Sequence, residues 1–233
     1  MNRSIVFALC ALTTALLVGC DSAPGRRAID GENVAPDKIL DFDVLYRTNC
    51  AGCHGLHGRG GAAIELANPM YLAVADDVVI RRATADGIAG TPMPAFASRS
   101  GGMLTEEQID AIVNGIRAHW TNRSAVPKID LPPYSDPSAG DARRGEGVFA
   151  TYCSSCHGDA GHGARRGSSI VDGSYLALVS DQGLRTMVIV GRPDLGAPDW
   201  RGNVRGKAMA FQDISDVVAW LSAQRPPSTG GTP

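Results

Sequence analysis

The sequence Cys50-Ala-Gly-Cys53-His54 recurs as Cys153-Ser-Ser-Cys156-His157 in the second half of the chain. In each stretch two residues separate the cysteines, and a histidine follows the second cysteine at once. The first cysteines of the two stretches are 103 residues apart in a chain of 233. Because three fixed residues recur at fixed spacing, this pattern is the strongest indication of the fold.

Cys-x-x-Cys-His is the attachment signature of a covalently bound c-type haem. Thioether attachment needs two thiols on one tight turn, and the next histidine then lies beneath the iron as its proximal ligand. The two stretches therefore predict two haem c groups, each with one iron. The residues predicted to attach them are Cys50, Cys53, Cys153 and Cys156. The predicted proximal ligands are His54 and His157.

A zinc site and a thioredoxin-like redox pair are two alternative interpretations of the cysteine pairs. A zinc site built from both pairs would have to bridge about 100 residues and two whole repeats. A thioredoxin-like redox pair would lie within alternating strands and helices, and no convincing run of alternating strands is present. Neither reading accounts for a histidine in both copies, so the sequence favours haem.

The chain repeats itself beyond these stretches, which indicates a tandem duplication. The offset between equivalent positions drifts only from 103 to 105 residues. Three further pairs follow it: Tyr71 with Tyr175, Gly87 with Gly191, and Ile109 with Ile214.

The apolar periodicity predicts helices and no sheet. Apolar residues recur at the i, i+3, i+4, i+7 spacing from Ile109 and again from Ile214, as in amphipathic helices. Shorter helices are predicted at 41–48 and 76–85, with counterparts at 144–151 and 181–190. The predicted organisation is a first domain at 38–121, a proline-rich linker at 122–140, a second domain at 141–226 and a flexible tail at 227–233.

The first 19 residues resemble a bacterial lipoprotein signal peptide. Arg3 precedes an apolar stretch, residues 5–18, and Leu17-Val-Gly-Cys20 resembles the site where the peptidase cuts before a lipid-carrying cysteine. The apolar stretch is shorter than the roughly 20 residues a membrane span needs. The resemblance implies lipid on Cys20, an anchor and tether at 20–37, and a periplasmic or extracytoplasmic position on the cell membrane. Cys10 would leave with the signal, so no cysteine remains for a disulfide.

Over residues 38–226 the chain resembles tandem class I cytochromes c. The resemblance implies an all-α fold in which each small domain wraps a covalent haem c, with a distal methionine ligand from a loop before the last helix. In the first domain the stretch 91–96, Thr-Pro-Met-Pro-Ala-Phe, matches that loop and implies Met93 as the ligand. Met70 and Met103 are weaker alternatives.

The second domain departs from the family's pattern at this loop. The repeat offset puts Ala197 opposite Met93, and alanine cannot bind iron. Met209, just before the last helix, is the best substitute ligand, and its counterpart in the first domain is Leu104. The alternative is an open or water-bound iron.

The family also has a glycine eight residues before the first haem cysteine, where the first and last helices cross, and an aromatic residue opposite it. The second domain follows this pattern with Gly145 and Trp220. The first domain has Phe42 at the glycine position and Gly115 at the aromatic one. We expect the bulky residue and the gap to have exchanged helices while conserving volume.

The composition limits the partners. With 44% hydrophobic and 20% charged residues the chain can bury cores, and 22 basic against 24 acidic residues give a net charge of -2 without a basic block. Nucleic acid is therefore not expected, and the balanced charge predicts only modest salt dependence of docking.

The predicted function is a membrane-anchored dihaem cytochrome that passes single electrons between redox protein partners, a membrane oxidoreductase and an electron acceptor. No catalytic residue and no small-molecule substrate are predicted. The alternative is a haem enzyme, or a subunit of a catalytic complex, that acts on a small molecule at a five-coordinate second haem.

Overall fold

The computed structural model describes residues 34–202 and 204–227. The predicted signal peptide, Cys10, the predicted lipidation site Cys20 and the end of the predicted tail lie outside the described residues. The described residues from 39 onward form one compact unit. Of the residues before 39, the described part carries a single 3₁₀ turn, Pro36–Lys38.

The regular secondary structure of the described residues is helical. These residues form no β-strand and only three isolated β-bridges. The first half has α1 (Phe42–Asn49), α2 (Ala51–His54), α3 (Pro69–Val74), α4 (Asp77–Asp86) and α5 (Glu106–Trp120). The second half has α6 (Ala142–Tyr152), α7 (Ser154–His157), α8 (Gly173–Leu178), α9 (Asp181–Val190) and α10 (Phe211–Ala223). The predicted helices are present, whereas α3 and α8 were not predicted.

Polar side chains start most of these helices at equivalent places in the two halves. An oxygen of each capping side chain accepts backbone N–H groups that the first turn leaves unpaired. The caps are Asp41, Asn68 and Asp76 in the first half and Asp141, Asp172 and Ser180 in the second.

The last helices begin differently. Thr105 and Gln108 form the reciprocal capping box at the start of α5. At α10 only half of this motif forms: the Asp213 carboxylate accepts a hydrogen bond from the Ala210 N–H at 2.9 Å, and alanine has no side-chain acceptor to return it.

The first and last helices of each half cross at a glycine. A Cβ on Gly145 of α6 would overlap the Asp216 carbonyl oxygen and lie 2.8 Å from the Trp220 Cβ on α10. In the first half the glycine is on the other helix: a Cβ on Gly115 of α5 would overlap the Phe42 ring on α1. The predicted exchange of bulk and gap is therefore confirmed.

Each half nevertheless has a tryptophan on its last helix that packs against an aromatic ring on its first helix. Trp220 stacks on Phe149 with ring centroids 4.4 Å apart. Tyr46 is the counterpart of Phe149 in the first half. Its ring packs edge-on against Trp120, with ring centroids 4.9 Å apart. Trp120 is five positions beyond Gly115, so the repeat offset alone does not identify it as the partner.

The predicted linker is held to the second half near its end. Arg185 of α9 is buried and donates hydrogen bonds to the Pro133 and Tyr134 carbonyls, at 3.0 and 3.2 Å. The same guanidinium lies 3.7 Å from the Asp136 carboxylate. Residues 133–136 therefore pack on the second domain as a strap.

Two hydrogen bonds join the halves directly. The Asn68 side-chain amide donates to the Val190 carbonyl at 3.3 Å, and the Arg192 guanidinium donates to the Gly61 carbonyl at 3.1 Å. Asn68 is buried and also caps α3. The loop that follows the first Cys-x-x-Cys-His stretch thus contacts the end of α9.

Candidate haem sites

Each Cys-x-x-Cys-His stretch forms one tight helical turn. Cys50 ends α1, and the His54 N–H donates to its carbonyl at 3.0 Å. Cys153 ends α6 and accepts from the His157 N–H at the same distance. Both thiols and the histidine of each stretch therefore lie on a single turn, as thioether attachment requires.

None of the four cysteines in the two stretches is joined in a disulfide. Burial, reinforced by the neighbouring Cys53, raises the pKa of the Cys50 thiol to about 12. Burial and Cys156 raise the pKa of the Cys153 thiol to about 11. Catalytic redox pairs have the opposite property, since they depend on a lowered thiol pKa to supply thiolate. The chemistry of these thiols therefore argues against a thioredoxin-like pair.

The two histidines are oriented in the same way. Nδ1 of His54 lies 2.8 Å from the Ile64 carbonyl oxygen, and Nδ1 of His157 lies 2.8 Å from the Ser168 carbonyl oxygen. An Nδ1–H that donates to a carbonyl leaves Nε2 as the free lone pair, the arrangement typical of metal-binding histidines. Burial lowers the pKa of His54, which favours the neutral ring that can ligate iron.

The other three histidines, His57, His119 and His162, are exposed on the surface. In the part of the chain that the structure describes, three or more His, Cys, Asp or Glu side chains never meet in a group that could hold a metal ion. The two cysteine pairs thus remain in separate sites and do not combine around zinc.

The distal loops of the two halves follow the same backbone path. The Ile88 N–H donates to the Met93 carbonyl at 3.0 Å, and the Arg192 N–H donates to the Ala197 carbonyl at 2.9 Å. The glycines that precede these loops have φ of +69° and +66°, and a Cβ on either would lie too close to the loop backbone. Ala197 therefore occupies the place of Met93, as the repeat offset indicated.

The alternative methionines differ in accessibility. Met93 is half-buried in its loop, and Met70 is buried at the start of α3. Met103 is 88% exposed, so its thioether faces solvent.

Met209 takes the place of Leu104. Its N–H donates to the Trp200 carbonyl at 3.1 Å, just as the Leu104 N–H donates to the Phe96 carbonyl at 2.8 Å. Both side chains are buried. Met209 therefore places a thioether where the first half has the hydrocarbon side chain of Leu104.

One buried donor in the second half has no partner within the protein. Among the described residues, Trp200 Nε1 is the single buried side-chain nitrogen or oxygen atom without a hydrogen bond, and Trp200 is 5% exposed. Leaving such a donor unpaired costs about 1–3 kcal/mol. A haem propionate is an acceptor of suitable chemistry, so the residues of the second half fit a haem. Phe96, the counterpart of Trp200, carries no polar atom.

A family model described as "Cytochrome C oxidase, cbb3-type, subunit III" matches residues 38–114 and 140–221. A "Cytochrome bc1 complex cytochrome c subunit" from Mycobacterium tuberculosis (strain ATCC 25618 / H37Rv) is 24% identical over 220 residues, 93% of this chain and 74% of that protein.

Two further relatives match about half of this chain. The "Cbb3-type cytochrome c oxidase subunit CcoP" from Azospirillum sp. (strain B510) is 29% identical over 130 residues, 51% of this chain and 39% of that protein. The "Cbb3-type cytochrome c oxidase subunit FixP" from Sinorhizobium medicae (strain WSM419) is 30% identical over 150 residues, 58% of this chain and 45% of that protein.

Proposed function

The chain belongs to the family described as cytochrome C oxidase, cbb3-type, subunit III, and on that premise we propose that it passes single electrons between respiratory redox proteins. Its fold is all-α with two tandem cytochrome c domains, and its cofactor is haem c in both, as the sequence predicted. The observation that carries the proposal is the matched pair of Cys-x-x-Cys-His turns, each with its histidine Nδ1 at 2.8 Å from a backbone carbonyl.

In this proposal the protein binds, orients and shields its two haems. Cys50 and Cys53 hold the first haem by thioether bonds, and Cys153 and Cys156 hold the second. His54 and His157 would hold the irons through Nε2, while the Ile64 and Ser168 carbonyls fix the ring orientation. A bound haem supplies a reversible one-electron couple, and no residue is needed for acid–base chemistry.

The distal ligand of the first iron is Met93 in this proposal, held by the turn that Gly87 permits. The distal ligand of the second iron is Met209, because it is buried and Ala197 has replaced the usual methionine. A thioether ligand raises the haem potential and blocks small ligands, which suits an electron carrier.

The proposal places the protein on the extracytoplasmic, periplasmic face of the cell membrane, held by lipid on Cys20. Its support is the signal-like sequence of residues 1–19. No helix in residues 34–202 or 204–227 is long and apolar enough to cross a membrane. Durable attachment through lipid requires two or more acyl chains. Metabolic labelling with palmitate, with a Cys20→Ser variant as control, tests this part alone.

The proposed partners are a membrane oxidoreductase that donates electrons and a redox protein that accepts them. The support is the names of the relatives, which are subunits of a cytochrome bc1 complex and of cbb3-type oxidases.

Spectroelectrochemical titration of the holoprotein tests the function. We expect two reversible one-electron transitions per chain, one from each haem. A single transition that accounts for only one haem, or slow irreversible reduction at both, contradicts the assignment of two electron-transfer centres.

One observation favours a second candidate function. Ala197 removes the usual distal ligand, so if Met209 does not bind iron the second haem is five-coordinate and open to a small molecule. The protein would then be a haem enzyme or a subunit of a catalytic complex. Carbon monoxide titration of the reduced protein separates the two: binding to one haem per chain supports the enzyme, and binding to none supports the electron carrier.

A further inference from the structure

The surface beside the second attachment turn is cationic. The Ala164 N–H donates to the Gly167 carbonyl at 2.8 Å, which closes a tight turn with Arg165 and Arg166 at its tip. A Cβ on Gly167 would lie 3.0 Å from Nδ1 of His157. Both arginines are exposed, so two positive charges flank the histidine end of the attachment turn.

A second segment brings positive charge to the other end of the same turn. Lys207 lies with its ammonium 5.7 Å from the ring centre of Tyr152, the residue directly before Cys153. The Tyr152 hydroxyl donates to the Ala208 carbonyl at 3.3 Å, so the segment is held against α6. Arg205, two residues before Lys207, is also exposed. We refer to Arg165, Arg166, Arg205 and Lys207 as the cationic rim.

The charge of the rim is not neutralised locally. Within the described residues, no carboxylate lies within 4.0 Å of any of its four cationic groups, whereas neighbouring Arg201 is paired with Asp199. The two segments, residues 158–167 and 199–207, contain five Arg or Lys and two Asp, a net charge of +3. The net charge of the whole chain is -2, so the total charge does not indicate this positive patch.

The first half carries less unpaired positive charge beside its attachment turn: Arg59, in the loop after His54, is exposed and donates to the Ala67 carbonyl at 2.6 Å. The segment that leads to the Ile64 carbonyl has Ala62 and Ala63 where the second half has its arginine pair. Leu56, two residues after His54, is 65% exposed. Arg99, in the segment before α5, is neutralised by Asp86 at 2.6 Å and Glu106 at 2.9 Å.

We propose that the cationic rim is the docking surface for an acidic redox protein, which therefore meets the second haem and not the first. This deepens the proposed function and rests on it. Clustered charge of one sign steers an oppositely charged partner and raises its association rate by tenfold or more at low salt. Screening at an ionic strength of 0.1 M acts over about 10 Å, so docking at the rim is salt-dependent despite the balanced total charge.

The experiment uses small redox ions as probes of local charge on the fully reduced holoprotein. The oxidation rate with anionic ferricyanide is measured from low to high ionic strength, beside that with cationic tris(phenanthroline)cobalt(III). In Arg165→Glu/Arg166→Glu we expect the ferricyanide rate constant at low salt to fall by about tenfold. The rate with the cobalt complex should rise, and both differences should vanish at high salt.

Two variants serve as matched comparisons. Arg123→Glu/Lys128→Glu makes the same change in net charge at exposed positions remote in sequence from both attachment turns, and we expect it to change the rates less than twofold. Arg205→Gln/Lys207→Gln tests the opposite side of the rim without introducing negative charge, and should lower the ferricyanide rate in the same direction as the arginine variant.

A binding readout without electron transfer locates the site. Hexacyanochromate(III), a redox-inert paramagnetic anion, should broaden the NMR signals of residues 164–167 and 204–208 and leave residues 55–63 sharp. Equal broadening in both halves, or equal loss of rate in the remote control, overturns the proposal. So does a variant that keeps its ferricyanide rate but no longer binds phosphatidylglycerol vesicles, since the rim would then serve a membrane.

Failure of the proposed function is distinguishable from failure of the rim. A chain that carries no covalent haem refutes the function before any rate is measured. A chain with two redox-active haems whose ferricyanide rate is the same in the arginine variant and the wild type refutes only the docking surface.

Discussion

The two halves share a backbone plan, whereas their distal and surface side chains differ. Both hold the attachment histidine by a carbonyl at 2.8 Å and close the distal loop by a hydrogen bond to the residue at position 93 or 197. The side chains at that position are methionine and alanine. The comparison shows that caps, glycines and backbone hydrogen bonds fix the loop, while the side chain at this position changes from methionine to alanine without altering the backbone path.

The largest effect is expected at the distal ligands, where the halves differ most. Met93→Ala should remove the near-infrared charge-transfer band of methionine-bound ferric haem from the first site, and Met209→Ala should remove it from the second. Each substitution should reduce the intensity of the wild-type band by about half, since each half contributes one methionine-bound iron. If Met209→Ala leaves the band unchanged, the second iron does not bind that thioether.

The next largest effect is expected where the first and last helices of the first half cross. Gly115→Trp would insert an indole where a Cβ already overlaps the Phe42 ring, so we expect the free energy of unfolding to fall by about 3 kcal/mol. Adding Phe42→Gly opens the gap on the other helix and should recover part of that loss. Urea unfolding of both variants measures the recovery, and a double variant no more stable than the single one would show that the two positions do not compensate.

Acid should weaken the second half through a carboxylate that the first half lacks. Asp216 of α10 accepts hydrogen bonds from the Arg144 guanidinium at 2.7 and 2.9 Å and from the Asp141 N–H at 2.8 Å, and its counterpart is Ala111. The Arg144 hydrogen bonds, with those from the backbone of Asp141 and from Gln212, lower the pKa of Asp216 to about 2 against the opposing effect of burial.

Because this pKa is lower in the folded than in the unfolded state, the ionised carboxylate stabilises the fold above about pH 4, and the stabilisation is lost as the pH falls towards 2. The contribution is about 2 kcal/mol. Asp216→Asn should be less stable than the wild type at pH 7, and the difference should shrink on acidification. Urea unfolding at a series of pH values checks this, and a pH-independent difference would rule out titration of Asp216 as the cause.

The smallest effect is expected at the junction between the halves. Asn68→Asp keeps the oxygen that caps α3, as Asp172 does for α8, but it loses the amide that donates to the Val190 carbonyl. Removing this hydrogen bond should cost about 1 kcal/mol. We expect faster proteolysis between the halves, with Asp172→Asn as the matched control. Unchanged proteolysis would show that the bond does not restrain the junction.

The sequence was sufficient for the features that lie in local or repeated patterns. The attachment residues follow from the motif, and the internal repeat aligned Met93 with Ala197, Phe42 with Gly145 and Gly115 with Trp220. Trp120 was missed as the counterpart of Trp220, because it reaches the same place from a different turn of its helix. The strap at Arg185 and the contact of Asn68 with Val190 were also missed, since both depend on how segments distant in sequence meet in space.

We propose that each half of the chain holds one haem c through its own pair of cysteines. The most direct test is the mass of the two proteolytic peptides that contain residues 50–54 and 153–157, taken from protein made with intact haem-attachment machinery. We predict that each peptide carries the mass of one haem. A peptide from either half that weighs no more than its amino acids would contradict the claim.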